Sequence, residues 1–526
     1  MKNLKVLDVT LRDGGCINDF NFGQSYMEKI LDAQEKSNID IIELGYIDEK
    51  KGSTSGRTQY LDETVIPKII LKNKKPNTSY VAMIDYGKFN IDNLHEKSES
   101  SIDGIRLAFH KKDSKEVIKI GRKIISKGYK FYIQPMITLR YSDSELLDLI
   151  NLVNNELSDA EAFYIVDSFG EMRPNDMSRV LNLIDHNLIP SMAIGFHSHN
   201  NLQLAYSNAM TMLQFPTNRE IIIDSSIMGM GKGAGNLNTE LLLEHLNIYY
   251  GKSYNISPLL EVIDTVINQL HNKYYWGYAP EYYLSSANHC TPSYASHFYN
   301  KHMLSIDKVG ELLKKIPEEK KISFDKEFAD KLYYSSNSNE INDSAAIEKL
   351  KSIFNGKEIL LIAPGKSINS NKEKINELIS NENVISIAIN SVPFCDVDYY
   401  FVSKKTSLEN LKFRSNKIIT TSNVSLNDEF FVLNYSSWIN TSNGKSDAAI
   451  IMIGNLLKSV GVTKLYLAGF DGFKIESNMN YYDESLYRPM NSQKVEERNH
   501  RTEDYLNSLS KYMKIDFITP TIYKIN

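Results

Sequence analysis

Two α/β domains in one chain, a (β/α)₈ barrel with a helical extension followed by an open doubly wound sheet, are predicted by three observations. Up to about residue 250, eight short β-branched runs alternate with longer amphipathic stretches. A polar, Ser/Asn-rich stretch, SSNSNEINDS, breaks the pattern near 335–355, and the βα rhythm returns from residue 358. A length of 526 residues also exceeds the roughly 250 to 300 at which one hydrophobic core stops growing.

The eight runs are LKVLDVT (4–10), DIIELGYI (40–47), SYVAMID (79–85), GIRLAFH (104–110), KFYIQPMI (130–137), AFYIVDS (162–168), SMAIGFHSH (191–199) and IIIDSSI (221–227). Their number and spacing are those of a TIM barrel, whose active site lies at the carboxyl ends of its strands. Residues 1–255 are assigned to this barrel, and the aromatic-rich helical stretch 256–335 to an extension of it. Residues 336–357 read as a linker. Residues 358–526 read as a second α/β domain, with strands in EILLIAPG, VISIAIN, VDYYFVS, KIITTS, FFVLNYSS and KLYLAGFDG.

Composition excludes several classes of function. A formal charge of −5 leaves no basic footprint for a phosphate backbone, so no nucleic-acid partner is expected. The three cysteines, Cys16, Cys290 and Cys395, lie far apart without CxxC spacing, which argues against a disulfide framework or a thiolate zinc site. Asp8, Arg12 and Asp13 stand where a signal peptide needs an apolar core, and no apolar run approaches the roughly 18 residues of a membrane span. A cytoplasmic protein without membrane insertion is expected, and a homo-oligomer is compatible with this reading.

The polar strand ends carry the chemistry. GFHSHNN places His197 and His199 two residues apart at a strand end, so both imidazoles face the barrel mouth. An HxH alone is equally a pair of hydrogen-bonded polar residues. Arg12 and Asp13 follow the first strand in TLRDGG, however, and Asn236 in GMGKGAGN follows the eighth; closure of the barrel makes these strands neighbours. One carboxylate, two imidazoles and an amide offer O and N donors without sulfur, a set suited to Mn²⁺, Mg²⁺, Co²⁺ or Zn²⁺. Making or breaking a C–C bond beside a 2-oxo group passes through an enolate, which such a cation and a permanently charged arginine, here Arg12, both stabilise. An ion pair with Asp13 or Glu43 is the alternative role for Arg12. Glu43 and Asp167 end the second and sixth strands, where each either touches metal, water or substrate or anchors a loop.

The ordered motifs TLRDGG, DIIELGY, YIVDSFGEMRP, GFHSHNNLQLAYSN and GMGKGAGNLNTELLL resemble the metal-dependent aldolase/lyase superfamily of 4-hydroxy-2-oxovalerate aldolase, HMG-CoA lyase and 2-isopropylmalate synthase, over about residues 4–310. The resemblance implies that Asp13, His197, His199 and Asn236 bind the metal and that Arg12 stabilises the enolate. WGYAPEYYLSSANHCTPSYASHFYNKHMLSIDKVGELL is similar to the C-terminal helices of the aldolases, which favours aldol chemistry on a 2-oxo acid and an aldehyde over a Claisen-type acyl-transfer synthase. By the same resemblance Tyr294 matches a tyrosine lining the aldolase site, although a packed core tyrosine reads the same way. Those aldolases carry an acid/base His where this chain has Cys16. Asp19, His289 and Tyr294 are the replacement candidates, while Cys16 itself reads as an inert thiol.

In the second domain LLIAPGKSI is not a Walker A loop, because the glycine required five residues before Gly365 is Leu360. A strand, a Pro-Gly turn and Ser367 before a helix remain a place where backbone N–H groups receive phosphate. The run IAPGKSI, VISIAIN, VDYYFVS, KLYLAGFDGF resembles Rossmann-like sialyltransferase and pterin-pyrophosphokinase-like domains, which implies a nucleotide or nucleotide-sugar near Gly365, Ser367 and Asp471. Asp471 alone reads more readily as a loop cap. The implied context is assembly of an unusual sugar or surface polysaccharide, or a bifunctional enzyme whose second domain is a nucleotide-dependent glycosyl- or phosphoryl transferase.

Overall fold

The computed structural model describes residues 3–525 apart from 72–73, 302–303, 412–416, 443, 476–479 and 483–491. Each predicted run in the first half forms a strand: β1 (Leu4–Asp8), β2 (Ile41–Ile47), β4 (Ser79–Asp85), β5 (Gly104–Phe109), β6 (Lys130–Pro135), β7 (Ala162–Asp167), β8 (Ala193–Ser198) and β9 (Ile221–Ser225), with a two-residue β3 (Gln59–Tyr60) added beside β2. All pair in parallel, and β1 bonds both β9 and β2, so the expected TIM barrel closes. The outer helices follow from sequence periodicity. Ser114–Ser126, for example, buries Val117, Ile118, Gly121 and Ile124 along one stripe, and Asp143–Glu156 begins on a Ser142/Glu145 capping box.

Strand alternation sorts the barrel interior into two levels. Leu7, Ile41, Val81, Tyr132, Tyr164, Ala193 and Ile222 pack together as an apolar floor. Further along the same inward faces, toward the carboxyl ends, come Glu43, Asp85, Arg106, His197 and Asp224. The floor excludes water from below, and the charged level faces the mouth.

The chain forms two compact units, Met1–Ser296 with Val309–Phe324, and His297–Lys308 with Asp325–Asn526. The helical stretch 256–335, expected as an extension of the barrel, is divided between them. Residues 336–357, expected as a linker, contain the helix Ser344–Phe354, whose Leu350 and Phe354 are buried in the second core. The Ser/Asn run hides this helix, but SAAIEKLKSIF is amphipathic.

The second unit is an open parallel sheet of β10 (Glu358–Ile362), β11 (Val384–Ile389), β12 (Tyr399–Val402), β13 (Ile418–Thr421), β14 (Phe431–Leu433), β17 (Lys464–Ala468) and β18 (Lys514–Phe517), in the order β14-β13-β12-β11-β10-β17-β18. A small antiparallel hairpin, β15 (Asn440–Thr441) and β16 (Gly444–Lys445), stands apart. Leu361, Ile387 and Phe401 pack on one face, and Leu360, Ala388 and Tyr400 on the other, as the apolar strands of a doubly covered sheet require. Among the described residues, no helix is long and apolar enough to cross a membrane.

Candidate active site

The turn after β1 builds one wall of the barrel mouth. The amides of Arg12, Asp13 and Gly14 all donate to the Val9 carbonyl, which winds the chain tightly and places both charged side chains in the interior. On β8, separated from β1 only by β9, His197 and His199 share the inward face of the strand and its extension, with ring centroids 5.3 Å apart. Ligand atoms of Asp13, His197 and His199 all lie within 4.8 Å of one another, and the three residues are buried. Among the described residues no other such group of metal-binding side chains occurs.

Asn236 completes this arrangement. Its Nδ2 donates to Asp13 Oδ2 at 2.7 Å and to the Met230 carbonyl at 3.1 Å, while its Oδ1 is buried without a hydrogen-bond partner. Gly231 makes room for it, since a Cβ there would lie 2.3 Å from Asn236 Nδ2 and 2.7 Å from Asp13 Oδ2. A buried orphan oxygen beside a carboxylate and two imidazoles fits a divalent cation, whose binding would offset the cost of burying these groups.

A ring of ion pairs fixes the donors. Arg12 Nε donates to Glu43 at 2.7 Å and its Nη1 to Asp13 at 2.8 Å. Arg106, fully buried, spans from Glu43 at 2.9 Å to Asp224, and Asp224 lies 3.0 Å from His197 Nδ1. That last contact leaves His197 Nε2 as the ligating nitrogen, the usual carboxylate–histidine–metal pattern. Arg12 Nη2 and Glu43 Oε1 are buried without hydrogen-bond partners.

The electrostatics favour the ligating protonation states. Burial would raise the Asp13 carboxyl, but His199, Arg12, His197 and the Asn236 bond together hold it well below the usual range. Burial pushes His199 down to about 4 against the pull of Asp13, with His197, Lys232 and Arg12 adding to the downward shift, so its imidazole is neutral at pH 7. Arg12 stays cationic, because Glu43 and Asp13 outweigh its own burial. Cys16 exposes some surface, yet its thiol stands among charged groups in the mouth. Desolvation and Asp13 push it up to about 12, far from a thiolate.

The other sequence candidates lie in different settings. Asp19 is exposed and pairs with Arg57 at 2.7 Å. His289 sits over the loops after β6 and β7, with Nδ1 2.7 Å from Glu171 and its carbonyl accepting from Arg140. Tyr294 is wholly buried, donates to the Ser323 carbonyl and packs edge-on against Phe324. Asp167 accepts the amides of Glu171 and Met172, anchoring that loop; burial lifts its carboxyl to about 7 against those two bonds. In the second unit Asp471 takes the Ser367 amide at 2.8 Å as well as its hydroxyl, and the Gly365 amide donates to the Gly469 carbonyl. That carboxylate occupies the place expected for a phosphate.

Sequence reasoning missed four residues of the mouth. Arg106 and Asp224 carried a signal, a charge inside the apolar strands GIRLAF and IIIDSS, because such groups are buried only when paired. Tyr46 and Asp85 stand close to one another and to Cys16 and Arg12. In a regular strand Tyr46 would face away from Glu43, but the β2–β4 register shifts between them, Glu43 pairing with Val81 and Tyr46 with Met83. Three steps on β2 thus match two on β4, and this bulge turns Tyr46 inward. Gly45 permits it at φ 149°, where a Cβ would meet the Thr58 carbonyl at 2.1 Å.

Comparisons with known proteins relate the first half of the chain to 4-hydroxy-2-oxovalerate aldolases. The chain is 28% identical over 247 residues to 4-hydroxy-2-oxovalerate aldolase 2 of Comamonas testosteroni, covering 46% of this chain and 68% of the relative. It is 28% identical over 295 residues to the 4-hydroxy-2-oxovalerate aldolase of Pseudoalteromonas translucida, covering 53% and 83%. The solved HMG-CoA lyase of Bacillus subtilis aligns at 14% identity and a TM-score of 0.42, over 51% of this chain and 93% of that one. Residues 3–266, half of the chain, match the HMGL-like family, and the chain therefore belongs to that family of carbon–carbon lyases.

Proposed function

We propose that the barrel catalyses aldol cleavage of a 4-hydroxy-2-oxo acid, or the reverse addition of pyruvate or a related 2-oxo acid to an aldehyde. The observation that carries this reading is the Arg12 guanidinium, bonded through two nitrogens to Glu43 and Asp13 and left with a buried, unpartnered Nη2 beside the Asp13, His197 and His199 cluster. Names of relatives support the aldol class. Asp13, His197, His199 and Asn236 Oδ1 would hold Mn²⁺ or Mg²⁺, with Co²⁺ or Zn²⁺ suiting the same donors, and a cation bound there supplies Lewis-acid polarisation of the 2-oxo oxygen.

The chain's own groups account for the remaining steps. A base takes the proton of the 4-hydroxyl, the C3–C4 bond breaks to release the aldehyde, and the electron pair moves to the 2-oxo oxygen as an enolate that Arg12 Nη2 stabilises. Protonation at C3 then gives the 2-oxo acid. With Cys16 protonated, Asp85 is the acid/base group we assign, with Tyr46 beside it: burial raises the Asp85 carboxyl against the pull of Tyr46, Arg12, Lys88 and His110.

Purified protein is expected to release or take up pyruvate only with added Mn²⁺ or Mg²⁺; turnover persisting after complete chelation would contradict the proposal. Asp85→Asn is expected to lower kcat by about tenfold or more. Because Asp85 acts as its carboxylate, wild-type activity falls as pH drops through its raised pKa, and this acid limb flattens in the variant. Tyr46→Phe keeps the limb with a smaller loss in rate. An unchanged acid limb in Asp85→Asn would remove Asp85 from this role.

A further inference from the structure

The second sheet winds outward from β10 in two directions, β11 to β14 on one side and β17 and β18 on the other. At such a reversal the loops leaving adjacent strands diverge, and open parallel sheets have their binding crevice there. A cavity of about 210 Å³ occupies that place, between the loops after β10, β11, β12 and β17 and the helix Ser492–Leu509. All its walls belong to the second unit.

The charges in this cavity are unevenly committed. Its carboxylates are used internally: Asp471 holds the Ser367 amide and hydroxyl, and Asp447 accepts from the hydroxyls of Tyr333 at 2.5 Å and Tyr435 at 3.2 Å. Lys301 pairs with Asp330 at 2.8 Å. Arg498 and Arg501 differ. They stand one helical turn apart on the face that lines the cavity, and among the described residues neither forms an ion pair with a carboxylate. Arg498 is half-buried with its guanidinium 5.2 Å from the Phe473 ring centre; burial, and then Arg501, push its pKa below the usual value against Tyr481. Two like charges three residues apart on a helix repel weakly, and an anion between them would offset that repulsion. The lining also carries apolar side chains, among them Ile389, Ile450 and Phe470.

We propose that this crevice binds a small phosphorylated ligand, its phosphate on Arg498 and Arg501 and its organic body against Ile389, Ile450 and Phe470. The guanidinium fork matches phosphate oxygens in pairs, which an ammonium does not. The anion thus sits at the arginines and not at the Gly365–Ser367 turn, whose serine amide Asp471 already takes.

Titration calorimetry on the full chain tests this, with CMP, UDP, ATP, a hexose 6-phosphate and inorganic phosphate as probes. At least one organic phosphate is expected to bind with a Kd below about 1 mM. R498Q/R501Q is expected to weaken it by about tenfold or more, equivalent to about 1.4 kcal/mol. Binding confined to the nucleotides identifies a nucleoside phosphate, and binding confined to the hexose phosphate a sugar phosphate; either supports the site. Arg501 is exposed, so R501Q alone tests the same contact should the double variant fail to fold, with weaker binding again expected. No binding by any probe, variants that bind as wild type does, or inorganic phosphate binding as tightly as the organic probes would each overturn the proposal.

Discussion

Arg12→Lys is expected to lower kcat by roughly 10²- to 10³-fold while leaving metal affinity within about threefold of wild type. Arg12 satisfies three demands from one planar group: Nε on Glu43 at 2.7 Å, Nη1 on Asp13 at 2.8 Å, and a buried Nη2 with no protein acceptor. Lysine keeps the charge but has a single nitrogen. Drawn to the two carboxylates, it leaves nothing for a developing enolate oxygen. The metal donors belong to Asp13, His197, His199 and Asn236, so a calorimetric Mn²⁺ titration separates loss of the cation from loss of the stabilising guanidinium. If Arg12→Lys turned over at the wild-type rate with saturating metal, the enolate role would be lost and Arg12 would serve only as an ion-pair partner.

The same residues show how far the sequence could be read. His197 and His199 were legible because strand alternation is a local rule, and Asp13 because it follows the first strand of a ring that closes on the eighth. The eight strands were legible as β-branched runs of a fixed rhythm. β18 was not, since KIDF is a short edge segment with charges at alternate positions and little to distinguish it from loop. Tyr46 was hidden by a single inserted residue that reverses side-chain parity, an effect set by pairing with β4. Tyr294 and His289 were chosen by resemblance; their observed partners, the Ser323 carbonyl and Glu171, come from tertiary packing that no local pattern encodes.

The partnership of Arg106 with Glu43 and Asp224 likewise spans β5, β2 and β9, and it leads to the other large effect. Arg106→Met is expected to destabilise the barrel by about 3–5 kcal/mol, because it leaves two buried carboxylates without their shared cation. Arg106 also lies 4.8 Å from the Tyr164 ring centre, so part of the loss is packing. In thermal unfolding this corresponds to a fall of roughly 10 °C in Tm. Metal affinity should fall as well, by about 10- to 100-fold, since Asp224 orients His197 through Nδ1 and Arg106 holds the Asp224 carboxyl below its usual pKa despite burial. Burying a charge without its partner, and not the loss of a methylene-sized volume, is the claimed cause, and the two are separable. Adding Asp224→Asn to Arg106→Met removes one stranded charge while the amide oxygen still accepts from His197 Nδ1–H. The double variant is therefore expected to recover about half of the lost stability and most of the lost metal affinity. Were it less stable than Arg106→Met alone, the stranded carboxylate could not be the source of the loss, and Arg106 would be a packing element in place of the electrostatic keystone that links the metal cluster to the barrel wall.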